Sequence, residues 1–191
     1  MELKIVCTAY ERPILLMSQL CSFAAQTRIN FAILVIHDGY NELVEAVVSD
    51  FQRLYPHIEI AFKFRKIRYN DFGHSLREIA LHEAEEKYML LTNDDNYYTP
   101  NFIEEMMPPL DIGDFDISYC NMIHSHLGYQ PLATQPRLNW IDIGAFIFDT
   151  KLGQRAGFED KSFAADGIFF EKMIKNGARA FKNEKYLYVH N

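Results

Sequence analysis

The central feature of the sequence is an apolar run, Tyr88-Met89-Leu90-Leu91-Thr92, that leads directly into the polar run Asn93-Asp94-Asp95-Asn96. The apolar run predicts a buried strand, and the polar run marks the end of that strand. Adjacent carboxylates repel each other and resist losing water, so Asp94 and Asp95 need a cation or hydrogen-bonding partners close by. Because α/β proteins bind ligands at the carboxyl ends of their strands, this stretch predicts a site for a metal ion and phosphate groups.

Apolar runs alternate with amphipathic stretches over the first hundred residues. The predicted strands are Lys4–Thr8, Phe31–Ile36, Ile58–Phe64 and Lys87–Thr92. The predicted helices are one that follows Pro13 and carries Leu16, Leu20 and Phe23, a second over Glu42–Leu54, and a third that carries Leu76, Ile79, Ala80 and Ala84. This alternation predicts an α/β fold with a Rossmann-like, mostly parallel central sheet flanked by helices.

The pattern becomes less regular after residue 100. The predicted elements are a short helix over Pro100–Met107 that Pro108-Pro109 ends, strands over Phe115–Asn121 and Trp140–Phe148, a helix over Asp166–Asn176, and short strands over Arg179–Phe181 and Tyr186–Val189. No period persists over Met122–Asn139, where we expect a long loop that covers or shapes a site. This second part predicts a smaller, less regular C-terminal region.

The composition is that of one folded globular domain spanning residues 1–191. The chain has 191 residues, of which 49% are hydrophobic and 24% charged, and its net charge is -7. An acidic chain of this kind is a poor partner for nucleic acid, whose phosphate backbone rewards a basic surface. The three cysteines form no CxxC pair, so we expect reduced core thiols rather than a disulfide framework or a zinc site.

We see no targeting or membrane-spanning segment in the sequence. The start, Met1–Cys7, is apolar for too few residues and acidic too early to be a signal peptide. No apolar run approaches the roughly 20 residues that a helix needs to cross a bilayer. We therefore expect a cytoplasmic protein, and a peripheral association with a membrane enzyme system stays open.

Two polar turns are candidates for nucleotide contacts. The segment Thr8–Pro13 lies between the first predicted strand and the first helix, where a polar loop can meet a base and phosphates. The segment His37-Asp38-Gly39 ends the second strand, and Asp38 could accept hydrogen bonds from a base or ribose. Each segment by itself is equally compatible with an ordinary turn.

The carboxylates also have two interpretations each. Oxygen ligands at a strand end suit Mg²⁺ or Mn²⁺, but Asp94 and Asp95 could instead cap the helix after Pro100 or remain in water. Asp166, at the head of a predicted helix, could be a general base or simply an N-cap. We expect His124 and His126, in the irregular segment, to be solvated or locally hydrogen-bonded rather than metal-bound.

The order of these segments resembles the nucleotide-binding half of the family 2 glycosyltransferases, which have the GT-A fold. The matching segments are Tyr10–Pro13, Gln26-Thr27, Val35–Gly39 and Asn93–Pro100. Downstream, Ala156–Glu159 looks like the family's Gly-Gly-Phe-Asp-Glu, and Asp166 to Gly177 keeps the spacing of its Glu-Asp helix. The resemblance covers nearly the whole chain and implies a nucleotide-binding half, 1–100, and an acceptor and catalytic half, 101–191.

The sequence departs from the family pattern at several positions. These are Glu11 for Asn, His37 for the first Asp of Asp-Asp-Gly, Tyr40 for Ser, Asn93 for the first Asp of a DxD motif, and Ala165 for the Glu before the catalytic Asp. None removes a carboxylate on which the implied mechanism depends, although the assignment of Asp166 rests on one carboxylate. Arg77 resembles the Arg of the family's Ala-Arg-Asn segment, but Glu78 follows it.

The resemblance implies a role for each candidate residue. The residues around a nucleotide, and near its diphosphate, would be Thr8, Tyr10, Arg12, Asp38, Arg77 and Asp94. Asp95, helped by Asp94, would hold Mn²⁺ or Mg²⁺ against the diphosphate of a nucleotide sugar, most simply a UDP-sugar. Asp166 would take the proton of an acceptor hydroxyl as it attacks with inversion. His190 would be a further metal ligand, or else an exposed terminal residue.

Two other functions stay open from the sequence. A nucleotidyltransferase also uses carboxylates and Mg²⁺, but commonly has a glycine-rich basic loop near its N-terminus that this chain lacks. A non-catalytic module that binds nucleotide sugars, or one domain of a larger transferase, is compatible with the short length after Gly177. The sequence does not identify the sugar, the glycan or other acceptor that supplies the hydroxyl, the linkage or the oligomeric state.

Overall fold

The computed structural model describes residues 2–191 and confirms the α/β alternation of the first half. The strands are β1 (Leu3–Ala9), β2 (Phe31–His37), β3 (Glu59–Phe64) and β4 (Tyr88–Asn93), and the helices between them are α1 (Pro13–Ala24), α2 (Glu42–Leu54) and α3 (His74–Glu83). The four strands pair in parallel in the order β3-β2-β1-β4. Every residue of β2 is buried, which is why its sequence is a continuous apolar run.

The second half adds five strands to the same sheet. Its elements are β5 (Tyr97–Tyr98), α4 (Phe102–Met106), α5 (Pro108–Ile112), β6 (Ile117–His124), β7 (Gln130–Leu132), β8 (Phe146–Asp149), α6 (Thr150–Ala156), α7 (Ala165–Lys175) and β9 (Ala180–His190). The full order is β3-β2-β1-β4-β8-β6-β9-β5, with β7 paired to β6. Because β8 is antiparallel to both β4 and β6, the sheet is parallel in its first half and mixed beyond it.

The prediction of how the chain continues past Met106 was wrong in detail. The predicted short helix is α4, and it ends at Met106, just before Pro108-Pro109. The two prolines also begin a helix that was not predicted, α5, since proline is tolerated in the first turn, where its missing N–H would have no intrahelical partner. The helix α6 was not predicted, and the two expected C-terminal strands are one strand, β9. The expected loop 122–139 contains the end of β6 and all of β7.

The predicted strand Trp140–Phe148 is largely a different structure. Only Phe146–Asp149 forms a strand, and Ile143–Ala145 forms a single 3₁₀ turn. Asp142 precedes this turn, and its carboxylate accepts a hydrogen bond from the Gly144 N–H at 2.8 Å. The local bond stabilises the turn and holds the Asp142 carboxylate in place.

The core lies on both faces of the sheet. On one side the rings of Phe146, Phe148, Phe169 and Phe170 pack against one another, with ring centroids 5.0 to 5.8 Å apart. Cys7 and Cys120 are buried and Cys21 is exposed, so the expectation of core thiols fails for one of the three. The single domain over 1–191, with halves that meet at residue 100, remains a prediction.

Candidate functional site

A cavity of about 560 Å³ opens at the carboxyl ends of β1, β2 and β4. The predicted site residues that line it are Thr8, Tyr10, Arg12, Asp38, Arg77, Asp95, Asp166 and His190. Asp94 does not line it and is fully buried behind it. Residues far apart in the sequence are therefore brought to one place, at the sheet edge where α/β proteins bind ligands.

Asp94 fixes the turn between β1 and α1. Its Oδ1 accepts a hydrogen bond from the Arg12 guanidinium, and its Oδ2 accepts the backbone N–H of Tyr10 at 2.8 Å. Burial raises the pKa of Asp94 to about 6, although the nearby Arg12 charge acts in the opposite direction. Both carboxylate oxygens of Asp94 are thus occupied by the protein itself.

Asp95 is the carboxylate that faces the cavity. Its Oδ2 pairs with Arg12, but its Oδ1 is buried and has no hydrogen-bond partner. Burial raises the pKa of Asp95, and the charges of Arg12 and His190 oppose that rise. Neither Asp94 nor Asp95 caps the helix after Pro100, because no side chain caps α4.

An implied divalent cation can be tested against this donor set. Within residues 2–191 no three His, Cys, Asp or Glu side chains are arranged to enclose a metal. Mg²⁺ and Mn²⁺ nevertheless suit sites with one or two carboxylates, because water and substrate phosphates complete their coordination. The free Oδ1 of Asp95 supplies one such oxygen, so the residues present fit a cation shared with a diphosphate.

The structure adds Asp142, which the sequence analysis did not single out. Its Oδ2 lies 3.5 Å from His190 Nε2, and its Oδ1 accepts the hydroxyl of Tyr188 at 2.6 Å. Asp142 lines the same cavity as Asp95 and Asp166. It was missed because the apolar residues around it suggested a strand; a carboxylate within the run Trp140–Ala145 was the available signal.

Two other histidines lie close to His190, which the sequence analysis did not predict. The ring of His124 stacks on His190 with centroids 4.3 Å apart, and His126 lies 5.7 Å from His190. All three imidazoles line the cavity. Burial and the nearby His190 lower the pKa of His124, which favours its neutral form. The expected loop histidines are therefore part of the cavity wall.

Asp166 is the second residue of α7 and points into the cavity. It is not an N-cap, since Ala164 occupies that position and makes no side-chain cap, so the capping interpretation was wrong. Its Oδ1 is buried without a hydrogen bond and lies 3.8 Å from Arg77 Nη1. Burial raises the pKa of Asp166 to about 6, the Arg77 charge lowers it, and Asp142 raises it.

Arg77 is buried between the two ends of the cavity. Its Nη2 donates to Asn93 Oδ1, and its Nη1 donates to His74 Nδ1 at 2.7 Å. Burial, aided by the Arg77 charge, lowers the pKa of His74 to about 4, so His74 is neutral and can accept that bond. The amide at position 93 thus serves as an acceptor for Arg77.

Asp38 and Thr8 are both engaged with neighbouring segments. Asp38 accepts the backbone N–H groups of Tyr69 and Asn70 at 2.8 and 2.9 Å. The Thr8 hydroxyl donates to Asn93 Oδ1 at 3.2 Å. These bonds order the loop after β3 and the start of the acidic stretch, next to the cavity that both residues line.

Arg68 is a second cavity residue that the sequence analysis missed. Its guanidinium carbon lies 3.8 Å from the centre of the Tyr10 ring, and its Nε lies 3.9 Å from Asp38 Oδ2. The Tyr10 ring also stacks on the His37 ring, with centroids 5.8 Å apart. The basic run Arg65–Arg68 was the available signal. One cation therefore covers an aromatic face inside the cavity.

Comparison with known proteins agrees with this architecture. The family model described as "Glycosyl transferase family 2" matches residues 5–175. An uncharacterized glycosyltransferase of Bacillus subtilis, YwdF, is 28% identical over 115 residues, which are 60% of this chain and 40% of the relative. The chain thus corresponds to less than half of that curated relative.

Solved structures show the same fold. The S. aureus TarS 1-349 structure matches with a TM-score of 0.81 at 17% identity, over all of this chain and 60% of that one. TarS 1-349 is also described with UDP and with UDP-GlcNAc. The Pyrobaculum calidifontis mannosyltransferase PcManGT, described with GDP-Man and Mn²⁺, matches with a TM-score of 0.80 at 14% identity, over 99% of this chain and 56% of that one. The predicted GT-A type fold is confirmed. Among the residues the structure describes, no helix is both long and apolar enough to span a bilayer.

Proposed function

Because the chain belongs to glycosyl transferase family 2, we propose that it moves a sugar from a nucleotide diphosphate sugar, most simply a UDP-sugar, to an acceptor hydroxyl with inversion. The observation that carries this proposal is that Tyr10, Asp95 and Asp166 line one cavity. Such a reaction needs an aromatic ring to stack on the base, a carboxylate oxygen free to bind a metal ion, and a carboxylate whose pKa is raised enough to accept a proton. Tyr10, Asp95 and Asp166 would supply these three groups in turn. A UDP donor is favoured by the UDP and UDP-GlcNAc described for TarS.

The nucleotide would lie along the wall formed by Tyr10, Arg68 and Asp38. The base would take the face of Tyr10 that the Arg68 guanidinium now covers. Thr8 and Asp38 would contact the base and ribose while continuing to hold their loops. Arg12 would approach the diphosphate, close to the carboxylates with which it already pairs.

Asp95 would hold the divalent cation through its free Oδ1, with Asp94 keeping Arg12 and the β1–α1 turn in place. His190 would be a further ligand, and Asp142 would orient it. When bound, Mn²⁺ or Mg²⁺ would neutralise the negative charge that develops on the leaving diphosphate. Arg77, a buried residue of the cavity wall, would act on Asp166 rather than on the nucleotide.

Asp166 would be the general base. The acceptor oxygen forms a bond to the anomeric carbon, the bond from that carbon to the diphosphate oxygen breaks, and the hydroxyl proton passes to Asp166. A pKa of about 6 leaves Asp166 ionised at pH 7, yet close enough to that pH to accept a proton. Attack opposite the leaving group inverts the configuration of the sugar.

The proposal is tested by measuring nucleotide release from a panel of UDP- and GDP-sugars, with and without Mn²⁺. We expect one donor to be turned over, and Asp166→Asn to abolish turnover while keeping nucleotide binding. Asp114→Asn, at an exposed position outside the cavity, is the matched control. Nucleotide binding without hydrolysis or transfer for any donor and acceptor would instead favour a non-catalytic module. A cytoplasmic location remains a prediction.

A further inference from the structure

Two phenylalanines stand exposed at the mouth of the cavity. Phe72 and Phe163 both line it, and they leave 68% and 82% of their surfaces in solvent. Their ring centroids are 6.1 Å apart, and the ring planes meet at 80°. Folding normally hides side chains of this size, so an exposed pair beside a cavity marks a surface on which a ligand can pack.

The position of Phe72 is imposed by its surroundings. Its φ is +59°, and that of Asn70 is +56°, in a region that bulky residues rarely adopt. Asp38 holds this loop by accepting the backbone N–H groups of Tyr69 and Asn70. Such strained backbone persists only where the surrounding structure maintains it, and it concentrates at ligand sites. The Phe72 ring is therefore presented at the cavity rather than left on a free loop.

The position of Phe163 is linked to the proposed base. Phe163 precedes Asp166 by three positions and comes just before Ala164, the N-cap residue of α7. The neighbouring Ser162 carbonyl accepts a hydrogen bond from His74 Nε2 at 3.0 Å, and His74 in turn accepts from Arg77. Phe163 thus belongs to a segment tied to the same buried network as Asp166.

We propose that Phe72 and Phe163 form a stacking site for the acceptor and that the acceptor is itself a sugar, an inference that rests on the proposed function. The face of an aromatic ring is negative, and the C–H groups on one face of a pyranose are positive, so the two pack together. A peptide or a small alcohol carries a hydroxyl but offers no such face. The side chains of Asn70 and Asn139, which line the same cavity, add donors and acceptors for the sugar hydroxyls.

The acceptor, rather than the donor sugar, fits this place. The donor sugar must remain beside its diphosphate near Asp95, whose side chain is only 12% exposed. The acceptor must bring its hydroxyl to Asp166. Phe72 and Phe163 both line the cavity with Asp166, and Phe163 precedes Asp166 by three residues, so an acceptor packed on the two rings would lie beside the proposed base.

The test measures binding of methyl glycopyranosides to the whole protein by saturation-transfer NMR, without any turnover. We expect saturation transfer to the pyranose C–H protons. The affinity for the glycoside should fall about tenfold in Phe163→Ala and in Phe72→Ala, and Phe163→Tyr should retain the wild-type affinity. Phe64→Ala is the matched control, because Phe64 is also exposed and also lies beside aromatic rings, those of Tyr40 and Phe62, but is outside the cavity lining. Equal glycoside binding in wild type and Phe163→Ala, or no binding at all, would overturn the proposal.

A second arm separates acceptor from donor. A phosphonate analogue of the nucleotide sugar that cannot be hydrolysed should leave the glycoside signal in place; loss of the signal on its addition would put the rings in the donor subsite and overturn the proposal. Calorimetry of UDP and GDP binding, run in parallel, tests the proposed function separately. Glycoside binding that depends on Phe163, in a protein that binds no nucleotide, would support the stacking site while contradicting the transferase.

Discussion

Arg77 and Asp166 meet inside the cavity wall with 3.8 Å between Nη1 and Oδ1, and the same guanidinium donates to Asn93 at the end of β4. This arrangement links the strand end that carries the metal candidates to the helix that carries the proposed base. The Arg77 charge opposes the rise in the pKa of Asp166 that burial causes. Arg77 is therefore a positioning residue whose effect should be visible in the pH dependence of the reaction.

We expect Arg77→Lys to move the acid limb of the kcat/KM profile to higher pH. A lysine cannot reproduce the planar fork that bonds Asn93 and His74 together, so the charge near Asp166 is displaced and the pKa of Asp166 rises further. The expected shift is up to about one pH unit, with a larger loss of activity at pH 6 than at pH 8. Arg65→Lys, which alters only a surface pair with Glu83, is the control. An unchanged acid limb would contradict the role assigned to Arg77.

We expect Asp166→Asn to stabilise the folded protein at pH 8 while abolishing transfer. Burial raises the folded-state pKa of Asp166 to about 6, above an unfolded value of roughly 3.9, so the folded state holds this proton more tightly. The stability that this proton confers is complete below pH 4 and is lost as the pH rises through 6. Asp166→Asn avoids that loss, so its advantage should reach up to about 3 kcal/mol above pH 6 and vanish below pH 4. Urea denaturation at pH 4, 6 and 8 measures it; an advantage independent of pH would refute the linkage.

Asp94→Asn and Asp95→Asn should separate folding from metal use. Asp94 accepts from Arg12 and from the Tyr10 N–H, so its replacement should cost about 1–3 kcal/mol of stability. Asp95 makes one side-chain pair, with Arg12, and its Oδ1 has no partner, so its replacement should lower the melting temperature less than that of Asp94. It should raise the Mn²⁺ concentration needed for half-maximal activity by about tenfold or more. The reverse pattern would transfer the metal contact from Asp95 to Asp94.

Gly167→Ala should impair both stability and turnover. A Cβ at this position would lie 2.8 Å from the Cα of Leu138, which is backbone and cannot simply rotate away. We expect a loss of about 1–3 kcal/mol in stability and a fall in kcat, because the shift would move Asp166. Gly153→Ala, whose Cβ would meet the Phe148 ring at 2.3 Å, is a control for steric cost away from the site. Equal fractional loss of kcat in both variants, corrected for unfolded protein, would argue against a specific effect on Asp166.

The elements of this chain that could be predicted from sequence are those that depend on local patterns of hydrophobicity. The strands β1 to β4 were predicted because a strand buried on both faces must be apolar along its length, which a local window can show. The start of β8 was placed too early, because the run Trp140–Phe148 is just as apolar where it forms a 3₁₀ turn. The hydrogen bond from the Gly144 N–H to the Asp142 carboxylate fixes that turn. A hydrophobicity pattern does not show such a bond, because it depends on the positions of single polar atoms.

The candidate site was predicted in its residue types but not in its pairings. The sequence analysis placed Asp94 and Asp95 at a strand end and Asp166 at a helix start, and the structure has them there. It could not show that Arg12 bonds to both Asp94 and Asp95, or that one oxygen of Asp95 has no partner. Nor could it show that Asp166 is not the N-cap of α7, since the residue at which α7 begins depends on how the helix packs against the rest of the protein.

The amino-acid sequence by itself determined that this protein is an α/β chain with its acidic residues at a strand end, because both properties follow from local patterns of burial and charge. Only the tertiary structure decided which polar groups are hydrogen-bonded to one another and which remain available to bind a ligand. Asp142 and Phe163 reach the cavity through the pairing of β8 with β4 and the packing of α7, whereas Arg68 reaches it from the segment after β3. Chemical availability is set by distances between residues that are remote in sequence, and folding alone establishes those distances.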